Sequence, residues 1–212
     1  MLLALELSGP RNSVALWSGT ETTEVDFSEQ RGKGLMQAVQ TLLADANTDR
    51  KELRGIVVGI GPGSYTGLRI ACSAGIMLGY ALDIPCAGIP SFDAAAFAEN
   101  LQNEKLHLIL DAYRQEVYHA TYLRRGDSLE TVQKPQVISL QDGAAAIGQE
   151  SFLGDERFAT RGVQLRTDCQ ARASDLIHYA KSLGVNACGD GILNLLPSEP
   201  LYLRPAAFRI VN

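Results

Sequence analysis

The sequence predicts an α/β protein whose chain forms two lobes with mixed sheets, the first lobe complete and the second reduced. The main observation is the order of the predicted elements, β-β-β-α-β-α-β-α, followed from about residue 105 by three more strands, a helix and a strand. The length of 212 residues suits one substantial domain or two small lobes that share a core. We therefore predict an N-terminal lobe over residues 1–102 and a smaller C-terminal lobe over residues 103–212.

Turn residues and periodicity define the elements of the N-terminal lobe. A turn cluster at 8–12 separates two apolar segments, which indicates two strands, and the next segment alternates polar and apolar residues. Apolar residues at helical spacing indicate a first helix, and Ser91 is a suitable N-cap for the third. The predicted elements are strands at 2–8, 13–18, 22–28, 55–60 and 84–90, and helices at 35–46, about 66–82 and 91–100.

The C-terminal lobe is predicted to restart this order with shorter elements. A strand at 105–111 begins the lobe, and the alternating segment 116–124 pairs naturally with it. The last helix ends at Gly184, since glycine commonly terminates helices. The remaining predicted elements are a strand within 131–140, a short helix within 139–148, a strand at 151–155 and the last helix at 174–184.

The net charge argues against one class of function, and the cysteine spacing predicts the state of the thiols. A net charge of −5 argues against strong nucleic-acid binding by this chain alone, because neutralising phosphates needs clustered Lys and Arg. The four cysteines, Cys72, Cys86, Cys169 and Cys188, lack a CxxC spacing and are predicted to be free thiols in a reducing cytoplasm.

Targeting and membrane segments are not expected. Glu6 interrupts the apolar N-terminus, which is therefore predicted to be a strand and not a signal peptide. The uncharged run 70–82 is shorter than the roughly 20 residues of a membrane span. The sequence therefore predicts a cytoplasmic protein.

The glycine-rich stretch 59–82 has two interpretations, of which the first is a phosphate-binding loop. Such a loop needs a lysine that reaches the phosphates, yet there is no lysine between Lys51 and Lys105. Thr66 also stands where a dinucleotide-binding GxGxxG loop has its last glycine. The residues therefore favour the second interpretation, close helix packing.

That second interpretation rests on a row of small residues, Gly67, Ala71, Gly75 and Gly79, which recur every four positions. They form a nearly bare helix face that another element can approach closely. Each helix glycine costs roughly 1 kcal/mol relative to alanine, so packing must compensate. Composition leaves open whether the chain itself or another protein covers the row.

Several segments in order resemble the TsaB (YeaZ) family. The stretch "GPGSYTGLRIA" at 61–71 is similar to its signature, and "LALELSGPRNSVALW" at 3–17 resembles its opening segment. Further similar segments are "GIPSFDAAA" at 88–96, "LILDAYRQEVYHATY" at 108–122 and "EPLYLRPAA" at 199–207. The resemblance covers most of residues 1–125 together with 199–207.

The resemblance implies a fold and a function. The fold is that of two RNase-H-like lobes of the actin/Hsp70/sugar-kinase (ASKHA) type. The family is the dimerisation subunit of the bacterial machinery that makes threonylcarbamoyladenosine at position 37 of tRNA. It implies no independent catalysis and no cofactor. The implied partners are a TsaD-type catalytic subunit, a TsaE-type ATPase through the complex, tRNA only indirectly, and a second copy when the chain is alone.

The family pairs with its catalytic subunit through its first two helices, which tips the packing interpretation toward an interface between chains. The predicted interface residues are Leu35, Met36, Val39, Leu42, Leu43, Gly67, Ala71, Ala74, Gly75, Leu78 and Gly79. We expect Gly75→Leu to abolish the heterodimer and to leave the fold mostly intact. Ser64, Thr66 and Arg69 are predicted to contact either the subunit junction or a nucleotide there. For Arg69 the residues favour an internal carboxylate or carbonyl partner, and the contact at the subunit junction or with a nucleotide is the alternative.

An autonomous ATP-dependent phosphotransferase of the same fold is the alternative function. In active relatives an aspartate at the end of the first strand of each lobe holds Mg-ATP, and here Glu6 and Asp111 take those positions. Glu6 has a longer arm than aspartate, and bulky Tyr113 and Arg114 stand near Asp111 where phosphate approach favours glycine. We therefore expect no phosphotransfer by this chain.

Metal-dependent or serine hydrolysis is not expected either. The catalytic relative uses an HxxxH metal pair, whereas His107, His119 and His178 have no i,i+4 spacing. We expect them to be ordinary surface or core residues. Ser64 lies outside a GxSxG nucleophile elbow.

Overall fold

The computed structural model describes residues 1–28, 34–99, 101–154, 162–166 and 170–203. The first sheet is mixed, five-stranded and ordered β3-β2-β1-β4-β5. Its strands are β1 (Leu2–Glu6), β2 (Asn12–Trp17), β3 (Thr22–Phe27), β4 (Gly55–Gly59) and β5 (Cys86–Ile89). The helices of this half are α1 (Gly34–Asp45), α2 (Tyr65–Leu82) and α3 (Ser91–Ala98), with a 3-10 turn at Arg50–Glu52.

The second sheet has the corresponding order, β8-β7-β6-β9-β10, again with three antiparallel strands followed by parallel ones. Its strands are β6 (Lys105–Asp111), β7 (Glu116–Arg125), β8 (Ser128–Ser139), β9 (Ser151–Gly154) and β10 (Val163–Arg166). The helices are α4 (Leu140–Ile147) and α5 (Ala173–Ser182), with a 3-10 turn at Ile192–Asn194. Strand β10 was not predicted, because its four residues carry little periodicity.

Strands β1, β2, β4 and β5 of the first sheet are buried on both faces, whereas the edge strand β3 is only partly buried. Because side chains alternate along a strand, Leu3 and Leu5 of β1 pack with α1 and α2, whereas Leu2 and Ala4 face the other way. That second face packs against α3 and α5. Leu2 and Ala4 belong to a cluster of buried apolar side chains that also includes Leu108 of the second sheet. Helices α3 and α5 therefore lie in a layer between the two sheets.

Helix α5 comes from the C-terminal half of the chain yet packs on β1 and β2 of the first sheet. The Ala173 N–H donates to Ser13 Oγ at 2.8 Å. Further along the chain, the Leu201 N–H donates to the Ile60 carbonyl at 2.8 Å. The predicted division at residue 102 thus separates the two sheets, but α5 and the segment after it cross that division and belong with the first sheet.

An ion-pair cluster holds the start of α5 against β3. Arg172 Nε donates to Glu24 Oε2 at 2.8 Å, and its Nη2 donates to Asp26 Oδ1 at 2.6 Å. The Ser174 hydroxyl donates to the same Glu24 oxygen at 2.9 Å. Burial alone would raise the pKa of Glu24, but the hydrogen bonds from Arg172 and Ser174 hold that pKa below its ordinary value.

We expect Arg172→Ala to lower the free energy of unfolding by about 2 kcal/mol, because Glu24 would keep a half-buried charge without its partner. The control is Arg125→Ala, because Arg125 Nε lies 3.7 Å from Glu130 Oε2 and both side chains are largely exposed. That surface pair contributes about 0–1 kcal/mol. Urea unfolding of both variants measures the difference, and equal losses would contradict the assigned role of Arg172.

His107 on β6 and His119 on β7 are buried side by side and are core residues. One ring nitrogen of His107 lies 3.0 Å from His119 Nε2, and the other lies 2.7 Å from Glu150 Oε2. Burial, and next the neighbouring His107, lower the pKa of His119 to about 4. Within the residues that the structure describes, no three His, Cys, Asp or Glu side chains are grouped to hold a metal ion.

The low pKa of His119 predicts a loss of stability on acidification. The unfolded chain binds this proton near pH 6.5, whereas the native protein excludes it until about pH 4, so in this range the unfolded state binds more protons. We expect the free energy of unfolding to fall by about 1.5 kcal/mol between about pH 6.5 and pH 5 through this residue. His119→Gln should remove that component, and exposed His178→Gln should retain it. Urea titrations at the two pH values test this, and an unchanged pH dependence in His119→Gln would contradict it.

Smaller local predictions had mixed outcomes. Cys72, Cys86 and Cys188 are free thiols, and Cys169 lies outside the described residues. Ser91 is not the N-cap of α3; Pro90 is, and the Ser91 hydroxyl donates to Glu6 Oε2 at 2.8 Å. None of the helices in the described ranges combines the length and the apolar character needed to cross a membrane.

Candidate partner interface

Helix α2 is the central element of the predicted interface. It begins at its N-cap Ser64, whose hydroxyl accepts a hydrogen bond from the Gly67 N–H at 3.2 Å. It ends at Asp83, which adopts the left-handed conformation with φ 55°. Between them Arg69 is the one charged residue, so the helix offers apolar side chains on nearly every side.

The small-residue row of α2 faces the protein's own sheet. A Cβ added at Gly67 would lie 1.9 Å from the Leu7 carbonyl oxygen, and one at Gly75 would lie 2.5 Å from Val58 Cγ1. A Cβ at Gly79 would lie 2.9 Å from the Ile84 carbonyl oxygen. The row therefore lets α2 approach β4 and β5 closely.

Burial contradicts the prediction that this row contacts a partner at Ala71, Gly75 and Gly79, whereas for half-buried Gly67 it stays a prediction. Ala71 is fully buried in the core cluster that contains Leu3 and Leu5 of β1, and Gly75 and Gly79 are buried against the sheet. The expectation that Gly75→Leu spares the fold is wrong for the same reason. A leucine at this site would overlap Val58 before it reached any partner.

The predicted stripe on α1 divides into two parts. Leu35, Val39 and Leu42 are buried in the core with the leucines of β1, and of these three Val39 also lines a surface groove. Met36 is 40% exposed, and Leu43 is half-buried. With Leu78 of α2, these two line one surface groove.

The outward face of α2 carries large exposed apolar residues that sequence reasoning missed. Tyr80 is 91% exposed, Met77 is 70% exposed and Ile76 is 48% exposed. The predicted residues Ala74 and Leu78 lie on the same helix and are half-buried. We call Ile76, Met77 and Tyr80 the outward face. Its signal in the sequence was its angular position on the helix. At about 3.6 residues per turn, Met77 lies nearly opposite Gly75 and Gly79, and Ile76 and Tyr80 lie to one side of that row.

Arg69 packs on aromatic rings. Its guanidinium carbon lies 4.1 Å from the ring centroid of Tyr65, and its Nε donates to the Tyr202 hydroxyl at 2.9 Å. The two tyrosine rings are 5.0 Å apart. The partners of Arg69 are therefore the Tyr202 hydroxyl and the Tyr65 ring, and not the expected carboxylate or carbonyl. The contact with Tyr202 connects the start of α2 to the C-terminal segment.

A cavity of about 630 Å³ lies beside the start of α2. Its lining includes Ser64 and Thr66, which brings these two predicted residues together with Asp111. Tyr113 also lines the cavity and is 76% exposed, with a left-handed φ of 61°. Its bulk occupies the turn where phosphate approach would favour glycine.

Glu6 and Asp111 do not face each other across this cavity. Glu6 is 1% exposed, and its carboxylate accepts hydrogen bonds from the Ser8 N–H at 2.6 Å and from the Ser91 hydroxyl at 2.8 Å. Burial raises the pKa of Glu6, and the Ser8 hydrogen bonds oppose that rise. Asp111 is exposed and accepts from the Tyr113 N–H at 2.8 Å. Asp111 therefore lies at the cavity, whereas Glu6 is held below the surface by its own hydrogen bonds.

Comparisons with known proteins agree with one another. The family model of TsaD, tRNA N6-adenosine threonylcarbamoyltransferase, matches residues 26–174. The "tRNA threonylcarbamoyladenosine biosynthesis protein TsaB" of Haemophilus influenzae is 32% identical over 96% of this chain and 93% of its own length. The Bacillus subtilis protein of the same name is 36% identical over 57% of this chain, a match that spans 55% of that protein.

Two solved structures from Pseudomonas aeruginosa are similar over almost the whole chain. One is described as an uncharacterized protein with similarity to peptidase YEAZ, with a TM-score of 0.76 and 25% identity over 96% of this chain and 99% of that one. The other is YeaZ, with a TM-score of 0.73 and 25% identity over 95% of this chain and 99% of that one. Because sequence and structure agree along nearly the full length, the chain belongs to the TsaB (YeaZ) family.

Proposed function

We propose that this chain is a non-catalytic scaffold subunit in threonylcarbamoyladenosine biosynthesis, and that it binds a TsaD-type catalytic subunit. The Haemophilus influenzae and Bacillus subtilis relatives are named as proteins of this biosynthesis. The match of residues 26–174 to the TsaD model supports a common ancestry with the catalytic subunit. Related folds can pack against each other through equivalent faces, as related subunits of symmetric assemblies do.

The outward face of α2 is the observation that carries the proposal. Exposed side chains of this size, grouped on one helix, mark protein interaction sites when they cluster. Tyr and Met are also enriched at the centres of protein interfaces. Met36 on α1 adds a further exposed apolar side chain. A partner that covered α2 would remove these side chains from water without disturbing the core beneath.

The rest of the proposal concerns fold and assembly. The equal strand orders of the two sheets support two RNase-H-like lobes of the ASKHA type. We expect a cytoplasmic protein that forms a homodimer through the outward face when its partner is absent. A TsaE-type ATPase joins through the complex, and tRNA is contacted indirectly. Ser64 and Thr66 at the cavity, with Arg69 beside them, are proposed to contact the subunit junction or a nucleotide there.

Co-purification from the native host tests the proposal. The tagged chain should recover a TsaD-type protein in a one-to-one complex. Purified TsaD-type subunit, supplied with an activated threonylcarbamoyl donor, should transfer that group to adenosine 37 of tRNA when this chain is added, whereas this chain alone with the same donor should be inactive. Magnesium-dependent ATP binding by the isolated chain that required Glu6 and Asp111 would support the phosphotransferase instead. Failure to recover a TsaD-type protein would contradict the scaffold role.

A further inference from the structure

Four tyrosine side chains line the cavity of about 630 Å³ beside the start of α2. Tyr65 and Tyr202 are both exposed, and their ring centroids lie 5.0 Å apart. Tyr118 on β7 is half-buried and lines the same cavity, as does exposed Tyr113 in the turn between β6 and β7. Aromatic side chains therefore reach this cavity from both halves of the protein.

The charge of the cavity is negative. Among the described side chains that line it, the carboxylate of Asp111 is the one formal charge, and no lysine or arginine is present. A phosphate group in the cavity would therefore meet a carboxylate without a basic side chain to offset the repulsion. The whole chain is also acidic, with a net charge of −5. These charges favour a cationic ligand over an anionic one.

Arg69 shows that the tyrosine rings at the mouth of the cavity accept a cation. Its guanidinium carbon lies 4.1 Å from the ring centroid of Tyr65 and 5.9 Å from that of Tyr202. The face of an aromatic ring carries negative partial charge and attracts a cation placed over it. Arg69 is itself exposed and outside the cavity lining, so it leaves the cavity open and water screens its repulsion of a second cation.

The turn between β6 and β7 holds Tyr113 and Asp111 together. Tyr113, Arg114 and Gln115 have left-handed φ angles of 61°, 57° and 61°, which residues with a Cβ rarely adopt. Asp111 Oδ1 accepts a hydrogen bond from the Tyr113 N–H at 2.8 Å. A carboxylate has about four acceptor positions, so this bond is compatible with a further bond from a ligand.

We propose that this cavity binds an organic cation, a guanidinium or alkylammonium group, with Asp111 as its counter-charge and the rings of Tyr113 and Tyr118 against it. Aromatic rings recognise such cations through their π faces. The hydroxyls of Ser64 and Thr66, which also line the cavity, can accept hydrogen bonds from the N–H groups. This site goes beyond the proposed function, since it needs neither the catalytic subunit nor a nucleotide.

The cationic group has two sources. One is a free small molecule. The other is the chain itself, because Arg204 and Arg209 follow Leu203 of the cavity lining in the sequence and lie outside the described residues. The variant Arg204→Ala/Arg209→Ala removes the second source.

Titration calorimetry of the full chain with butylguanidinium and with butylurea tests the charge requirement, because the two probes are similar in shape and differ in charge. We expect butylguanidinium to bind with a dissociation constant of about 1 mM or below in about 50 mM NaCl, and butylurea at least about tenfold more weakly. Asp111→Asn keeps an acceptor for the Tyr113 N–H and should weaken butylguanidinium binding at least about tenfold. The matched control, Asp127→Asn in the exposed turn after β7, should bind within about twofold of the unaltered chain.

A second pair of variants tests the aromatic face. Tyr113→Leu should weaken butylguanidinium binding at least about fivefold, whereas Tyr113→Phe keeps the ring and should bind within about twofold of the unaltered chain. Because Tyr113 and Asp111 are exposed, the melting temperatures of all these variants should stay within about 2 °C of the unaltered value.

The outcomes identify the source or overturn the inference. Butylguanidinium binding by the unaltered chain identifies a free cation, and binding only by Arg204→Ala/Arg209→Ala identifies the chain's own arginines. No binding by either protein, equal binding of butylurea, or undiminished binding by Asp111→Asn would overturn the inference. Adenosine monophosphate that bound more tightly than butylguanidinium would also overturn it, because the cavity would then be a phosphate site. No titration contains a TsaD-type subunit, so failure here leaves the scaffold role standing.

Discussion

Gly75→Leu is expected to lower the free energy of unfolding by about 3 kcal/mol, because the added side chain has no space beneath α2. A Cβ at this position would already lie 2.5 Å from Val58 Cγ1 and 3.0 Å from Cys86 Sγ. Val58 is fully buried in a central strand and cannot move aside without opening the core. The gain in helix propensity over glycine, roughly 1 kcal/mol, is too small to offset the overlap.

The matched control for this variant is Ser73→Leu, an exposed position two residues earlier on the same helix. It should change stability by no more than about 0.5 kcal/mol. Thermal and urea unfolding of both variants measure the difference, and a loss near 3 kcal/mol corresponds to a fall of roughly 6–12 °C in melting temperature for a chain of this size. A Gly75→Leu variant as stable as the unaltered chain would mean that α2 does not lie as close to β4 as described.

The double variant Met77→Asp/Tyr80→Asp is expected to weaken binding of the TsaD-type subunit by about 100-fold or more. Both side chains are mostly exposed in the isolated chain, so burying two carboxylates in their place would oppose the complex and not the fold. The free energy of unfolding should stay within about 0.5 kcal/mol of the unaltered value. The same change should also prevent self-association.

Val132→Asp/Leu183→Asp is the matched control, since both residues are exposed apolar side chains at 47% and neither lies on α1 or α2. This control introduces the same charge and should leave affinity within about twofold. Surface plasmon resonance for affinity and sedimentation for self-association measure the two effects. Equal losses in both double variants would show that added negative charge matters and that the outward face does not.

These two predictions also show where sequence reasoning succeeded and where it failed on α2. The glycine spacing correctly predicted that something approaches this helix closely. It could not tell what approaches, because a helix that is apolar all round presents no polar face to mark its solvent side. The answer depends on Val58 and Cys86, which belong to strands separated from Gly75 in the chain but adjacent in the sheet.

The strands were easier to predict than the layers. The strand 105–111 was placed at the bounds that the structure has, since strand periodicity and turn residues are local signals. Helix α5 was also predicted, but its packing on the first sheet depends on Arg172 meeting Glu24, a contact between residues far apart in the chain. No local pattern records such a pairing.

The layer of α3 and α5 between the sheets has a mechanical consequence. Its apolar side chains form one cluster with both sheets, from Leu2 through Phe92 and Leu176 to Leu108. Turning one sheet against the other would expose that cluster to water, which opposes the hinge closure by which two-lobed enzymes grip a ligand. We therefore expect the molecule to move as a single rigid block and to melt in one cooperative step, with a single transition in a calorimetric scan.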